Sequence, residues 1–182
     1  MPFCKQTTPT NPSSRYKSKI KSKGNRRPKQ SAKSYTLWFL SQRDYSEASL
    51  RKKLIYKEYS TEEIDEALAY VKENNYQNDV RYSRIHAEAK APRTGNQRIR
   101  QLLVQKGVEP ELISAQLTQL EPEDVRILNV VSKFENKELT PEFRQKIYRF
   151  LAYRGFSSPA IKTALAHLAE KIKETQDNVI EI

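Results

Sequence analysis

Residues 99–117 read IRQLLVQKGVEPELISAQL, and the apolar positions Ile99, Leu103, Val108, Ile113 and Leu117 are separated by 4, 5, 5 and 4 residues. Each four-residue step places two apolar side chains on one face of an α-helix. The five-residue steps break that phase, so Val108 falls in the turn between two helices. Gly107 supplies a residue that adopts the left-handed conformation ending a helix, and Pro110 suits the first turn of the next. The stretch reads as a helical hairpin whose apolar stripes face each other.

The same template recurs on either side. Leu50, Leu54, Tyr59, Ile64 and Leu68 precede it by 49 positions, and Ile147, Leu151, Phe156, Ile161 and Leu165 follow after 48, with the same intervals. Punctuation is in register. Gly155 stands where Gly107 does, but the first copy has Glu58 there, which costs about 1 kcal/mol if the turn keeps its geometry; a different first turn is therefore expected. Starts are expected near Ser46, at a Thr94-x-x-Gln97 capping box and at Thr140-Pro141 for the leading helix of each hairpin. The second helices start at a Ser60-x-x-Glu63 capping box, at Pro110 and at Pro159. A further helix precedes each hairpin, near 35–43, 79–91 and 123–135. In the last, Ile127, Val130, Val131 and Phe134 form an apolar stripe; in the second, Tyr82, Ile85 and Ala89 do so.

The fold class is therefore all-α: three tandem three-helix repeats, spanning 35–77, 78–120 and 121–175. A basic, disordered tail is expected at 1–34 and a short C-terminal tail at 176–182.

Charge divides the chain at the same place. The net charge is +11, yet ten of the 33 Lys and Arg lie within residues 1–34, where there is no acid, leaving 23 bases against 22 acids in the body. Four prolines and few apolar residues make that leader unable to offset the entropy of ordering. It lacks the apolar run of a secretory signal, and its prolines interrupt the amphipathic helix of a mitochondrial presequence. It reads either as an arm for phosphate backbones or as a solvated extension.

The remaining composition excludes more than it assigns. Cys4 is the only cysteine, so no internal disulfide forms and a reducing compartment is natural. His86 and His167 are the only histidines and have no partner at ligand spacing, so no metal is expected, and they read as helix-face residues. No apolar run approaches the ~20 residues of a membrane span. No nucleophile–base pair or phosphate-binding glycine loop is evident, and neither catalytic residues nor a cofactor are expected.

Within the body, bases gather on the middle helix of each repeat. Arg51, Lys52 and Lys53 lie on the first; Arg98, Arg100 and Lys106 on the second; Arg144, Lys146, Arg149 and Arg154 on the third. These ten are the candidate partner- or DNA-binding residues. Lys57, Lys106 and Arg154 share a helix C-terminus, where a cation also simply favours the dipole; Arg98, Arg100, Arg144 and Arg149 lie earlier and are the stronger candidates. The tyrosines read as core residues with wet hydroxyls rather than as base-stacking platforms.

Three stretches resemble the RecX family: Leu40-Ser-Gln-Arg43-Asp-Tyr-Ser46 leading into Leu50-x-x-x-Leu54, Arg98-Ile-Arg-Gln-Leu-Leu-Val-Gln-Lys-Gly107, and Phe150-Leu-Ala-Tyr-Arg-Gly155-Phe156. The resemblance covers residues 35–173. It departs from the family pattern at Tyr76–Ser83, where Tyr82-Ser83 stands for the usual Phe-Ala pair. The resemblance implies an elongated curved rod, a cytoplasmic modulator that binds the RecA filament on DNA and typically depresses its ATPase and strand exchange; a monomer is expected. That role belongs to recombinational repair and the SOS response. The middle helices and the basic tail could also contact single- or double-stranded DNA. The alternative reading is a helical-repeat nucleic-acid-binding protein acting without RecA; a third is a helical scaffold for an unrelated protein.

Overall fold

The computed structural model describes the backbone of residues 30–180 and the side chains of residues 30–175. Both the basic leader, save its last few residues, and the final two residues lie outside that range. The described residues form nine α-helices and two 3-10 turns, with no strand. In chain order they are α1 (Ala32–Gln42), α2 (Glu47–Tyr56), α3 (Thr61–Glu73), α4 (Asp79–Lys90), α5 (Asn96–Gln105), α6 (Pro110–Gln119), α7 (Glu123–Val131), α8 (Pro141–Tyr153) and α9 (Ser158–Ile180).

Each successive group of three helices closes its own core. Leu50, Leu54 and Tyr59 pack with Ile64 and Leu68; Ile99, Leu103 and Val108 with Ile113 and Leu117; Ile147, Leu151 and Phe156 with Ile161 and Leu165. All fifteen template residues are buried. The three turns are built alike. The N–H of Tyr59 donates to the Leu54 carbonyl, that of Val108 to Leu103 and that of Phe156 to Leu151, at 3.4, 3.1 and 3.2 Å. These are the wrap-back bonds of a helix ending in a left-handed residue.

Glu58 occupies that conformation at φ 63°, beside Gly107 at 75° and Gly155 at 81°. The first turn thus keeps the shared geometry, contrary to the expectation from sequence, because the wrap-back bond and the buried Tyr59 hold it there. Glu58→Gly should stabilise the first repeat by about 0.5–1 kcal/mol. A raised midpoint in urea unfolding, with unchanged helicity, is the expected readout.

Other boundaries shift for identifiable reasons. Helix α1 begins at Ala32, not after residue 34, because Ser31 caps it by accepting the Ser34 N–H. The Tyr59 hydroxyl also donates to the Gln30 carbonyl at 2.8 Å. Helix α9 continues to Ile180, through most of the expected C-terminal tail. The stripe expected in α4 is out of phase: Ile85 and Ala89 are exposed, whereas Tyr82, Ser83, Ala87 and Ala91 are buried. Small side chains at 83, 87 and 91 let that helix and its closing turn pack closely, and the Ser83 hydroxyl is satisfied by the Val80 carbonyl.

Candidate partner interface

The repeats join through their middle helices, head to tail. At the first junction the start of α2 meets the end of α5. Ser46, fully buried, accepts the Ser49 N–H and donates to the Lys106 carbonyl at 2.5 Å. A Cβ on Gly107 would lie 2.4 Å from the Ala48 Cβ. At the second junction the start of α5 meets the end of α8. The Gly95 N–H donates to the Arg154 carbonyl and the Gln97 N–H to the Gly155 carbonyl, at 3.0 and 3.2 Å. A positive helix start thus faces a negative helix end at both joints. The Thr94-x-x-Gln97 capping box does not form: Gly95 is the cap residue and has no side-chain cap, since the next repeat satisfies the opening N–H groups.

An acid completes each joint. Asp79, first residue of α4, accepts the Glu47 N–H at 3.0 Å, and Glu123, first residue of α7, accepts the Asn96 N–H at 2.7 Å. Glu47 and Asn96 are 49 positions apart and open α2 and α5 respectively. The corresponding features of the first repeat are Ala32 at the start of α1 and Glu58 in place of glycine. Among the described residues no further repeat packs against these two positions.

Burial holds the Asp79 carboxyl above the usual carboxylate pKa, against the lowering effect of its bonds from the Glu47 N–H and the Gln77 amide. The folded state therefore takes up a proton there before the unfolded chain does. The stabilising effect is full below the unfolded value of about 3.9 and is lost as pH rises through the folded one. Asp79→Asn keeps the acceptor without the charge and should leave stability at neutral pH equal or slightly raised. Asp79→Ala should cost about 1–2 kcal/mol by orphaning the N–H. Urea unfolding at neutral pH separates the two.

Nine of the ten candidate cations divide into held and unheld groups; the tenth, Lys106, caps α5 and lines a cleft between repeats. Arg51 bridges Asp65 at 2.7 Å and reaches Glu47. The Lys53 ammonium lies 4.5 Å from the Phe39 ring centroid and 5.2 Å from that of Tyr45. Arg154 donates to the Arg93 carbonyl at 2.9 Å and covers Phe150. Arg100 reaches the Ser114 hydroxyl at 3.2 Å, and Arg98 barely touches Gln101. Lys52, Arg144, Lys146 and Arg149 are exposed and make no ion pair, hydrogen bond or ring contact with the described residues. The first group braces the fold; the last faces solvent.

Apolar groups accompany them. Ile55 and Val104 stand at equivalent positions in the last turns of α2 and α5, 58% and 53% exposed, and Tyr153 near the end of α8 is 83% exposed. Large exposed apolar groups recurring on the same element are a mark of contact surfaces. Tyr59 and Tyr82 are core residues, but Tyr56, Tyr76 and Tyr153 are not, so the expectation of tyrosines in the core holds only in part.

The sequence pattern missed what lies between repeats. Arg43, Lys52, Lys53 and Lys106 come from three elements to line a cleft of about 360 Å³, with Tyr82 and His86 also at its wall. Burial first, then Lys90 and Lys106, lowers the His86 pKa. Arg126 was missed too: only 2% exposed, it donates to the Glu121, Ala91 and Thr94 carbonyls at 2.7, 2.9 and 3.0 Å and to the Asn96 side chain. No local pattern distinguishes it from the other bases; only its neighbours Ile127 and Val130 hint that it lies on a buried face. No helix among the described residues is long and apolar enough to cross a membrane.

Comparison with known proteins agrees with this architecture. The chain matches the family description "RecX, first three-helix domain" over residues 32–70 and "RecX, third three-helix domain" over residues 132–165. It is 38% identical over 133 residues to "Regulatory protein RecX" of Haemophilus ducreyi, covering 71% of this chain and 87% of that protein. It is 32% identical over 142 residues to the protein so named from Neisseria meningitidis, covering 78% and 93%. The crystal structure of RecX from Lactobacillus salivarius superposes with a TM-score of 0.68 at 19% identity, over 76% of this chain and 94% of that one. A second solved structure, titled regulatory protein RecX, gives 0.62 at 25% identity, over 72% and 68%.

Proposed function

The chain belongs to the RecX family, and from that premise we propose that it binds the RecA recombinase filament on DNA and restrains its ATPase and strand-exchange activity. The setting is recombinational DNA repair and the SOS response, in the cytoplasm. One observation supports this reading above others. Three middle helices joined head to tail carry exposed cations, those of the first and third bracing nothing among the described residues, together with exposed apolar side chains near their ends. A rigid body with contacts spaced along its length can engage successive subunits of a filament, and several weak contacts then gain avidity. The cations suit acidic protein grooves or DNA phosphates inside such a filament.

The test reverses charge where the fold is least involved. Lys52, Arg144, Lys146 and Arg149 changed together to Glu should raise the protein concentration that half-inhibits RecA ATPase by about tenfold or more. The far-ultraviolet circular dichroism should be unchanged. Undiminished inhibition by the reversed protein would assign the contact to another face. The alternative, nucleic-acid binding without RecA, is favoured by the basic leader at residues 1–34. It predicts steeply salt-dependent DNA binding and no effect on RecA at stoichiometric protein.

A further inference from the structure

The cationic cleft between the first two repeats opens beside a second, smaller hollow. Ile99, Leu102 and Leu103 line that hollow, of about 160 Å³, and it shares Tyr82, His86 and Lys106 with the cleft. Leu102 is half-buried, and its side chain is one wall. An aliphatic hollow of one-side-chain size thus adjoins a cleft carrying Arg43, Lys52, Lys53 and Lys106. The one carboxylate at the cleft, Asp44, is already paired with Arg81 at 3.1 Å.

We propose that this junction receives an acidic peptide segment carrying one large apolar side chain. The apolar side chain fills the hollow and the flanking carboxylates lie against the cleft's cations. This deepens the proposed function, resting on the reading that the protein meets a protein partner, but it does not require that partner to be RecA.

Charge and chemistry select the occupant. The cleft has an excess of positive charge, so the leader at residues 1–34, with ten bases and no acid, is repelled from it. A nucleic-acid base has polar edges that the aliphatic wall of Ile99, Leu102 and Leu103 would leave unpaired, whereas a Leu or Phe side chain loses nothing there.

His86 reports on the event. Arg43, Asp44, Lys52, Lys53, Lys90 and Lys106 line the cleft and hollow around it, and burial first, then Lys90 and Lys106, lowers its pKa. Carboxylates arriving in the cleft offset those cations, so the histidine takes up its proton at higher pH when the site is filled. Affinity then rises as pH falls through the bound-state value, while glutamates on the ligand stay ionised.

The full-length protein is titrated with a short capped peptide in which glutamates flank one leucine, with the same peptide bearing serine for leucine, and with a single-stranded oligonucleotide. Methyl resonances of Ile99, Leu102 and Leu103 and the His86 ring are followed by NMR. The leucine peptide should shift all three methyl-bearing residues, raise the His86 pKa, and bind about tenfold or more tightly than the serine peptide. Lys52→Glu with Lys106→Glu should weaken it by a similar factor. Because the serine comparison changes only the ligand, it stands whether or not that variant folds. Equal binding of the two peptides, shifts of the same methyls by the oligonucleotide, or shifts on concentrating the protein alone would each overturn the proposal. Loss of RecA inhibition with peptide binding intact when only Arg144, Lys146 and Arg149, none of which lines the cleft, are changed to Glu would separate this site from the filament contact.

Discussion

Gly95→Ala is expected to cost at least about 3 kcal/mol and to separate the second repeat from the third. The residue has an ordinary φ, so the penalty is not conformational. A Cβ at position 95 would lie 2.1 Å from the Gly155 carbonyl oxygen and 2.3 Å from its carbon and from the Phe156 nitrogen. Backbone atoms cannot rotate away as a side chain can, so the joint must open. Opening it breaks the bonds from the Gly95 and Gln97 N–H groups to the Arg154 and Gly155 carbonyls. Gly107 provides the contrast. There the obstruction is the Ala48 Cβ, and with that atom gone the nearest remaining Ala48 atom is 3.9 Å away. Ala48→Gly should therefore recover most of the loss in Gly107→Ala, leaving about 1 kcal/mol for the left-handed alanine plus the helix cost of the new glycine. Urea unfolding followed by amide exchange in α5 and α8 checks both. A Gly95→Ala protein with unchanged exchange would mean that the joint does not hold the repeats together.

Arg126→Met is the second large effect, expected at about 3 kcal/mol or more. The guanidinium gathers carbonyls from two repeats: Ala91 and Thr94 from the turn after α4, and Glu121 from the lead into α7. Burial lowers its pKa, and Glu123 and Glu121 partly restore it, but it stays charged because an arginine pKa lies far above neutral. Methionine fills much of the volume yet leaves those oxygens without donors. Lysine should also fail, since one ammonium cannot present the same planar fork to acceptors on both sides. Differential scanning calorimetry should show a lower, broader transition as the third repeat unfolds independently. An unaltered single transition would show that the arginine is replaceable.

Much of the fold was legible because the template is local. Leu54 and Tyr59, or Leu103 and Val108, are close enough in sequence that spacing dictates which face and which turn they occupy. Where small residues do the packing, the pattern misleads: Ser83, Ala87 and Ala91 carry little hydrophobic signal, so the periodicity points to Ile85 and Ala89 in their place. Glu58 looked unsuited to its turn because propensity weighs one residue, whereas the wrap-back bond and Tyr59 fix several together.

The candidate interface was legible only as a set of charges. Sequence placed bases on the middle helices but could not tell Arg51 and Arg154, which brace the structure, from Lys52, Arg144, Lys146 and Arg149, which do not. That distinction depends on Asp65 and the Arg93 carbonyl, remote in sequence. His86 looked like an ordinary helix-face residue until Arg43 and Lys106 were brought beside it.

By itself, then, the sequence determined the helices, their grouping in threes and the seam each group closes, since these follow from periodicity and from turn residues within some twenty positions. The tertiary structure alone decided how one group meets the next. Those joints consist of backbone carbonyls, glycine hydrogens and single acids such as Asp79 and Glu123. Their partners lie about 30 to 60 residues away, and no hydrophobic period records such a separation.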